Sequence, residues 1–154
     1  MQVRVQREDF DLSAEIASLR AGHRDVGAVV AFVGTVREMN GTGAVSQMEL
    51  EHYPGMTEAA LEAIAREAAR RWSIADILII HRIGSLQGCE QIVLTAVAAR
   101  HRGEAFAACE FVMDYLKTRA PFWKKEHRAD GAAADWVEAR QEDDAAEQRW
   151  RDFT

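Results

Sequence analysis

The segment KTRAPFWKK, residues 117–125, gathers the side chains with the most chemical reach in this sequence. Lys117 and Lys124 flank an arginine, a proline and two large aromatics. Pro121 ends a helix, and the chain then doubles back through Phe122 and Trp123. In an extended segment successive side chains alternate between faces. Lys124 and Lys125 therefore point opposite ways, and one of them can rejoin Lys117. Neighbouring cations and a partly dry wall both lower a lysine from its reference value near ~10.4. An amine tuned in that way serves as nucleophile or as proton donor and acceptor. There is a plainer reading: a lysine or arginine in the last turn of a helix complements the helix dipole, worth ~0.3–1 kcal/mol. That reading covers Lys117 and Arg119 taken singly.

A second basic cluster is AARHRGEAF, in which His101 and Arg102 lie between a strand end and a helix start. A helix N-terminus adds partial positive charge and free N–H groups, so this is a candidate oxyanion or phosphate seat. The alternative is a turn histidine beside a solvated arginine. Arg37, in GTVRE, ends a strand; taken alone, a surface arginine is its plainer reading. His81-Arg82 lies within a strand, where alternation to the outer face is expected. His52-Tyr53 precedes a Pro-Gly break. Cys109 falls on the apolar stripe of a helix and reads as a buried, inert thiol. Cys89 falls in a turn and reads as exposed. The two cysteines form no CxxC, and no P-loop, GxGxxG, HExxH or GxSxG occurs.

The bulk numbers set the frame. A chain of 154 residues with 48% hydrophobic and 29% charged residues suits one globular domain. No run approaches the ~20 apolar residues of a membrane span, and the acid-bearing start MQVRVQREDFDL does not read as a signal peptide. A cytoplasmic protein with free thiols is the expectation. The net charge is -6, yet residues 117–128 carry five cations against Glu126, or +4, which leaves -10 on the rest. A cationic island in an anionic body focuses a small anion. Duplex nucleic acid asks for a broad basic face.

The elements that must position these residues follow from periodicity. A short helix is expected over 13–20, with Ser13 as N-cap and Ile16 and Leu19 inward. Residues 27–36 and 44–53 read as strands joined through the Asn-Gly turn of MNGTG and paired antiparallel. Residues 56–72 form a helix whose stripe is Leu61, Ile64, Ala65, Ala68 and Trp72, with Glu62 and Arg66 as an i,i+4 pair. Residues 75–84 and 91–99 are strands. Residues 103–120 form a second helix with the stripe Ala105, Phe106, Cys109, Val112, Met113 and Leu116. FWKKEH and ADWVEA are short strands, and an acidic tail follows from about residue 141. The order implies an α+β domain spanning residues 1–154.

Several stretches together, LEHYPGMTE, HRIG, the HR of AARHR, MDYLKTRAPFWKKE and WVEAR, resemble the large, catalytic subunit of molybdopterin synthase, the MoaE family. The likeness runs in order from about residue 27 to about residue 140. It implies an α/β-hammerhead fold, with antiparallel sheet packed against helices. It implies a sulfurtransferase that converts cyclic pyranopterin monophosphate to the molybdopterin dithiolene. The sulfur would come as a thiocarboxylate on the C-terminal Gly-Gly of a small ubiquitin-like partner. A homodimer carrying one small subunit at each end, a heterotetramer, is implied as well; no cofactor and no metal in the subunit are. By the same resemblance Lys117 is the principal catalytic lysine and Lys124 the second. Arg37 and Phe32 belong to the pocket, His101 and Arg102 reach it from the neighbouring protomer, and Met113 and Arg140 surround it. Two positions depart from the family pattern: Thr35 stands where lysine is frequent, and Cys89 where a turn glycine is usual. The alternatives are a non-catalytic pterin- or phosphate-binding subunit and a purely structural dimer subunit of the same pathway.

Overall fold

The computed structural model describes residues 1–40, 43–128, 135–136 and 141–151. In chain order the elements are β1 (Gln2–Gln6), α1 (Leu12–Arg20), β2 (Ala28–Thr35), β3 (Met39–Asn40), β4 (Gly43–His52), α2 (Met56–Arg71), β5 (Ile74–Arg82), β6 (Gly84–Gln87), β7 (Gln91–Ala99), α3 (Arg102–Arg119), β8 (Phe122–Arg128), β9 (Asp135–Trp136) and α4 (Gln141–Gln148). The strands form two sheets. One has the order β1-β5-β7-β2; the other has β3-β4-β8-β9, with β6 also paired to β4.

The first sheet is covered on both faces, which explains the unbroken apolar runs of β5 and β7. Successive residues of a strand point to opposite faces. Ile77, Ile79, Val93 and Val97 meet α2 and α3 in the larger core. Leu78, Ile80, Leu94, Ala96 and Ala98 meet Phe10 and Leu19, which α1 and its lead-in supply. A smaller core of Val36, Met48, Leu50 and Leu86 joins the second sheet to the first. The α+β expectation holds, with helices packed on largely antiparallel sheets; β1 and β5 run parallel.

Three local readings change. Asp11 caps α1 rather than Ser13: its carboxylate accepts from the Ala14 N–H at 2.9 Å. β2 and β4 do not pair. β2 runs antiparallel to β7 across the whole stretch from Ala28 to Thr35, and β4 joins β6 and β8. β4 also pairs antiparallel with the short β3, where Asn40 stands opposite Gly43; residues 41–42, within the expected turn, lie outside the described residues. On α3, Phe106 is 61% exposed and Phe111 is fully buried. The face of α3 turned to α2 holds Phe111, whose ring meets Trp72 and Trp150 edge-on at 5.3 and 5.7 Å. Residues 137–139 of the expected last strand lie outside the described residues. Among the described residues no helix is long and apolar enough to cross a membrane.

The passage from β5 to β6 carries the chain from one sheet to the other. It turns at Gly84, whose φ is +86°. A Cβ there would stand 2.5 Å from Nη1 of Arg7. The turn after β6 makes the same backbone demand of a residue less suited to it. Cys89 has φ +70°, and its N–H donates to the Val36 carbonyl at 2.9 Å. A non-glycine residue pays about 1–2 kcal/mol in the left-handed region. Glycine's greater freedom in the unfolded chain offsets about 0.4–1 kcal/mol of that. Cys89→Gly is therefore expected to stabilise the protein by about 0.5–1 kcal/mol. A urea-unfolding midpoint that stays the same or falls would contradict this account of the turn.

Candidate active site

Pro121 makes the corner on which the site is built. The last turn of α3 ends at Arg119, and β8 begins at Phe122. The buried Thr57, in the first turn of α2, donates its hydroxyl to the Pro121 carbonyl at 2.9 Å and accepts from the Tyr53 N–H at 2.9 Å. The start of α2 is held in turn by Glu58, whose carboxylate accepts from the Gly55 N–H at 2.7 Å and lies 3.2 Å from His52 Nε2. The corner therefore rests against α2 and β4.

A cavity of about 320 Å³ opens at this corner, where β2, the two sheets and α3 meet. Lys117 enters from α3, Lys124 from β8, and Arg37 and Phe32 from β2 and its end. The alternation along β8 sends Lys124 to the cavity; Lys125 is not among its lining residues. Lys117 is exposed and Lys124 half-buried, so the wall beside Lys117 is wetter than the sequence suggested. Lys124 Nζ lies 3.7 Å from Glu126 Oε1. Thr35, which departs from the family pattern, also lines the cavity.

The remaining sequence candidates lie elsewhere. His101 and Arg102 stand at the opposite end of α3 from Lys117. Fifteen residues of helix at ~1.5 Å each put them about 22 Å away. They do not reach the same cavity within one chain. Met113 is buried and does not line the cavity; its sulfur accepts from the Thr95 hydroxyl at 3.2 Å. Arg140 lies outside the described residues. Arg119 is a structural cation: its Nε and Nη2 donate to Glu147 of α4 at 2.9 and 2.5 Å, and its guanidinium stands 4.2 Å over the Tyr115 ring. The hydrogen bonds from Arg119 and Thr118 hold the Glu147 carboxyl down at about 2. Burial pushes the Cys109 thiol up to about 11, as an inert core thiol requires. Among the described residues no three His, Cys, Asp or Glu side chains cluster as metal ligands do.

Sequence reasoning missed His81 among the residues of the site, and also the acids Glu126 and Asp143, which line the same cavity. His81, expected on an outer face, is buried and lines the cavity. Its ring stacks on Phe122 at 3.7 Å and 17°, and Nδ1 lies 2.8 Å from the Arg82 carbonyl oxygen. Burial lowers its pKa to about 4, and the charges of Lys117 and His52 act in the same direction. Arg82 is buried too, donating to the Arg7 and Gln91 carbonyls at 3.1 and 2.9 Å. The available signal was a histidine-arginine pair closing an otherwise apolar strand, where neither side chain has an obvious solvent face.

The fold and the site define an α+β protein with a small cationic cavity at a junction of sheets. The profile of the MoaE protein family matches residues 5–119. A molybdopterin synthase catalytic subunit of Ralstonia nicotianae is 62% identical over 148 residues, covering 96% of this chain and 83% of that protein. The solved molybdopterin biosynthesis MoaE protein of Burkholderia ambifaria superposes with a TM-score of 0.83 at 59% identity and 97% coverage of each chain. The molybdopterin synthase structure from Staphylococcus aureus gives 0.80 at 32% identity, covering 87% of this chain and 95% of that one. The chain belongs to the MoaE family, the catalytic subunits of molybdopterin synthase.

Two measurements test the geometry. Thr57→Val removes the hydroxyl that both secures the Pro121 carbonyl and receives the Tyr53 N–H. A loss of about 1–3 kcal/mol in unfolding free energy is expected, and an unchanged denaturation midpoint would show that the corner stands without it. The His81 Cε1–H resonance should titrate near pH 4, below the ~6.5 of a free imidazole. Because the unfolded chain takes up this proton first, acid favours unfolding between about pH 6.5 and about pH 4, and the group adds no pH dependence above that window. A titration near 6.5 would mean that the ring is not desolvated.

Proposed function

We propose that this chain carries the sulfur-transfer step of molybdopterin synthase. A small ubiquitin-like partner presents its C-terminal Gly-Gly thiocarboxylate to the cavity, and cyclic pyranopterin monophosphate is the acceptor. The observation that carries the reading is the convergence of Lys117, Lys124 and Arg37 on one cavity in a chain of the MoaE family. Cations converging on one recess hold a phosphate ester by charge-assisted hydrogen bonds. They also stabilise negative charge as it develops in a transition state.

The thiocarboxylate sulfur forms a bond to a side-chain carbon of the pterin, and an oxygen substituent of that carbon leaves with a proton. The carrier's acyl group is now joined to the transferred sulfur. Attack on the acyl carbon, by water or by the Lys117 amine, breaks the acyl carbon–sulfur bond and leaves the sulfur on the pterin. If the amine attacks, the amide it forms is hydrolysed to free the carrier carboxylate. Lys117 stabilises the acyl oxyanion and moves protons, and Lys124, beside Glu126, contributes charge. A second loaded carrier repeats the step to complete the dithiolene. Exposed Tyr53, Met56 and Trp123 lie next to this corner, with the Tyr53 and Trp123 rings 6.2 Å apart. An exposed apolar group of this kind suits a protein partner.

A homodimer belongs to the same proposal. β2 is the outer strand of its sheet and carries exposed Phe32. His101 and Arg102, remote from their own cavity, are then available to a neighbour's.

The test is reconstitution with thiocarboxylated carrier and the pterin precursor, reading dithiolene product. Lys117→Ala should lower turnover by about 10²–10⁴-fold, and Lys124→Ala by less. Near-normal turnover in Lys117→Ala would refute the assignment, and the reverse ranking would exchange the two roles. Carrier and pterin binding without any turnover in the wild-type protein would support a non-catalytic binding subunit.

A further inference from the structure

The cavity wall holds one ring nitrogen that its cations and carboxylates do not account for. His81 closes β5 beside Arg82 and presents its ring to the wall that also holds Lys117 and Lys124. Phe122 covers one face of that ring. Nδ1 is 2.8 Å from the Arg82 carbonyl oxygen. A carbonyl only accepts, so Nδ1 carries the proton, and the neutral ring keeps its lone pair on Nε2. Among the described residues no group bonds Nε2. Nor is it sealed away unpartnered; among the described residues that state belongs to Arg4 Nε. The cavity is its outlet.

We infer that His81 Nε2 contacts the substrate as a hydrogen-bond acceptor, taking an N–H or O–H donor of the molecule whose anionic group Arg37, Lys117 and Lys124 hold. The inference rests on the function proposed above and assigns one more binding residue to that site. Ammonium and guanidinium groups only donate, so a ligand with both an anion and ring N–H groups needs an acceptor as well. Glu126 and Asp143 also line the cavity, but their charge opposes an anion, and Thr35 offers one hydroxyl. A carboxylate at this position would pair with Lys117 and cancel the charge the anion requires. Glu126, 3.7 Å from Lys124, already stands in that relation to its lysine. A neutral imidazole accepts without neutralising. Burial keeps it neutral far into acid, and the adjacent charges of Lys117 and His52 reinforce this. The carbonyl bond fixes the tautomer, and stacking on Phe122 fixes the ring plane, so the lone pair has one direction.

The experiment compares binding of cyclic pyranopterin monophosphate with binding of inorganic phosphate, by calorimetry, in the wild type, His81→Asn and His81→Gln. The asparagine amide can keep the bond to the Arg82 carbonyl but puts nothing at Nε2; glutamine brings an amide oxygen near that place. His81→Asn should weaken pterin binding about tenfold and leave phosphate affinity within about twofold, while His81→Gln recovers most of the loss. In turnover the KM should rise more than kcat falls. Unchanged pterin affinity in His81→Asn overturns the inference, as does phosphate affinity falling in step with it, or equal losses in both variants. Nitrogen NMR of the wild-type protein decides the matter even if a variant does not fold. The Nε2 resonance should move upfield on adding the pterin and not on adding phosphate, and a stationary resonance overturns the inference. Wild-type protein that binds no pterin removes the proposed function and this inference together. Pterin binding that is indifferent to His81→Asn removes this inference alone.

Discussion

The hydrogen bond from Thr57 to the Pro121 carbonyl sets the geometry on which everything else depends. Proline ends α3 by sterics alone, but sterics do not choose where the chain goes next. The buried hydroxyl does choose. It ties the corner to the first turn of α2, and α2 is itself locked to the larger core by Leu61, Ile64, Ala65 and Ala68. From that fixed point β8 runs back along β4, with Phe122 opposite His52 and Lys124 opposite Leu50. The cavity is the space this return leaves between β8, α3 and the end of β2. A buried, doubly used hydroxyl is costly to leave unsatisfied, so the corner is specified as well as stabilised.

Electrostatics then follows from placement. The chain as a whole is acidic, and many of its acids are engaged away from the cavity. Glu147 takes Arg119 and Arg151, Glu67 takes Arg70 and Arg71, and Glu90 takes Arg82. These pairs sort the cations into structural ones and those that face the recess. Lys117, Lys124 and Arg37 belong to the second group, sharing the recess with the acids Glu126 and Asp143 and with His81 as a neutral member. A histidine that ionised near neutrality would add a further positive charge to that recess; desolvation prevents it.

Much of this was legible in local pattern. The spans of α2, α3, β5 and β7 follow from periodicity, and the Glu62–Arg66 pair forms as its spacing implies, at 2.7 Å. Pro121 and the alternation of an extended segment were enough to bring one lysine of the Lys124-Lys125 pair back toward Lys117. Strand pairing was not legible. β2 and β4 lie close in sequence and are good strands, yet β2 pairs with β7 and β4, beyond its short ladder with β3, pairs with β6 and β8. Phe106 and Phe111 are equally apolar, and only the arrival of Trp72 and Trp150 decides which of them is covered. His81 and Arg82 were assigned to an outer face because alternation assumes a wet side; both faces of β5 are dry at that end.

The sequence by itself determined the elements, the proline corner, the positive segment and, through the wording of its motifs, the family. Those properties are local: they arise from backbone sterics, side-chain period and the order of residues along the chain. The tertiary structure decided which strands adjoin, which of two phenylalanines enters the core, that Cys89 occupies a left-handed turn, and that an imidazole stands in the cavity wall. Each of these depends on contacts between segments many residues apart. Burial, and the desolvation that holds His81 neutral, exists only once those segments have closed around one another.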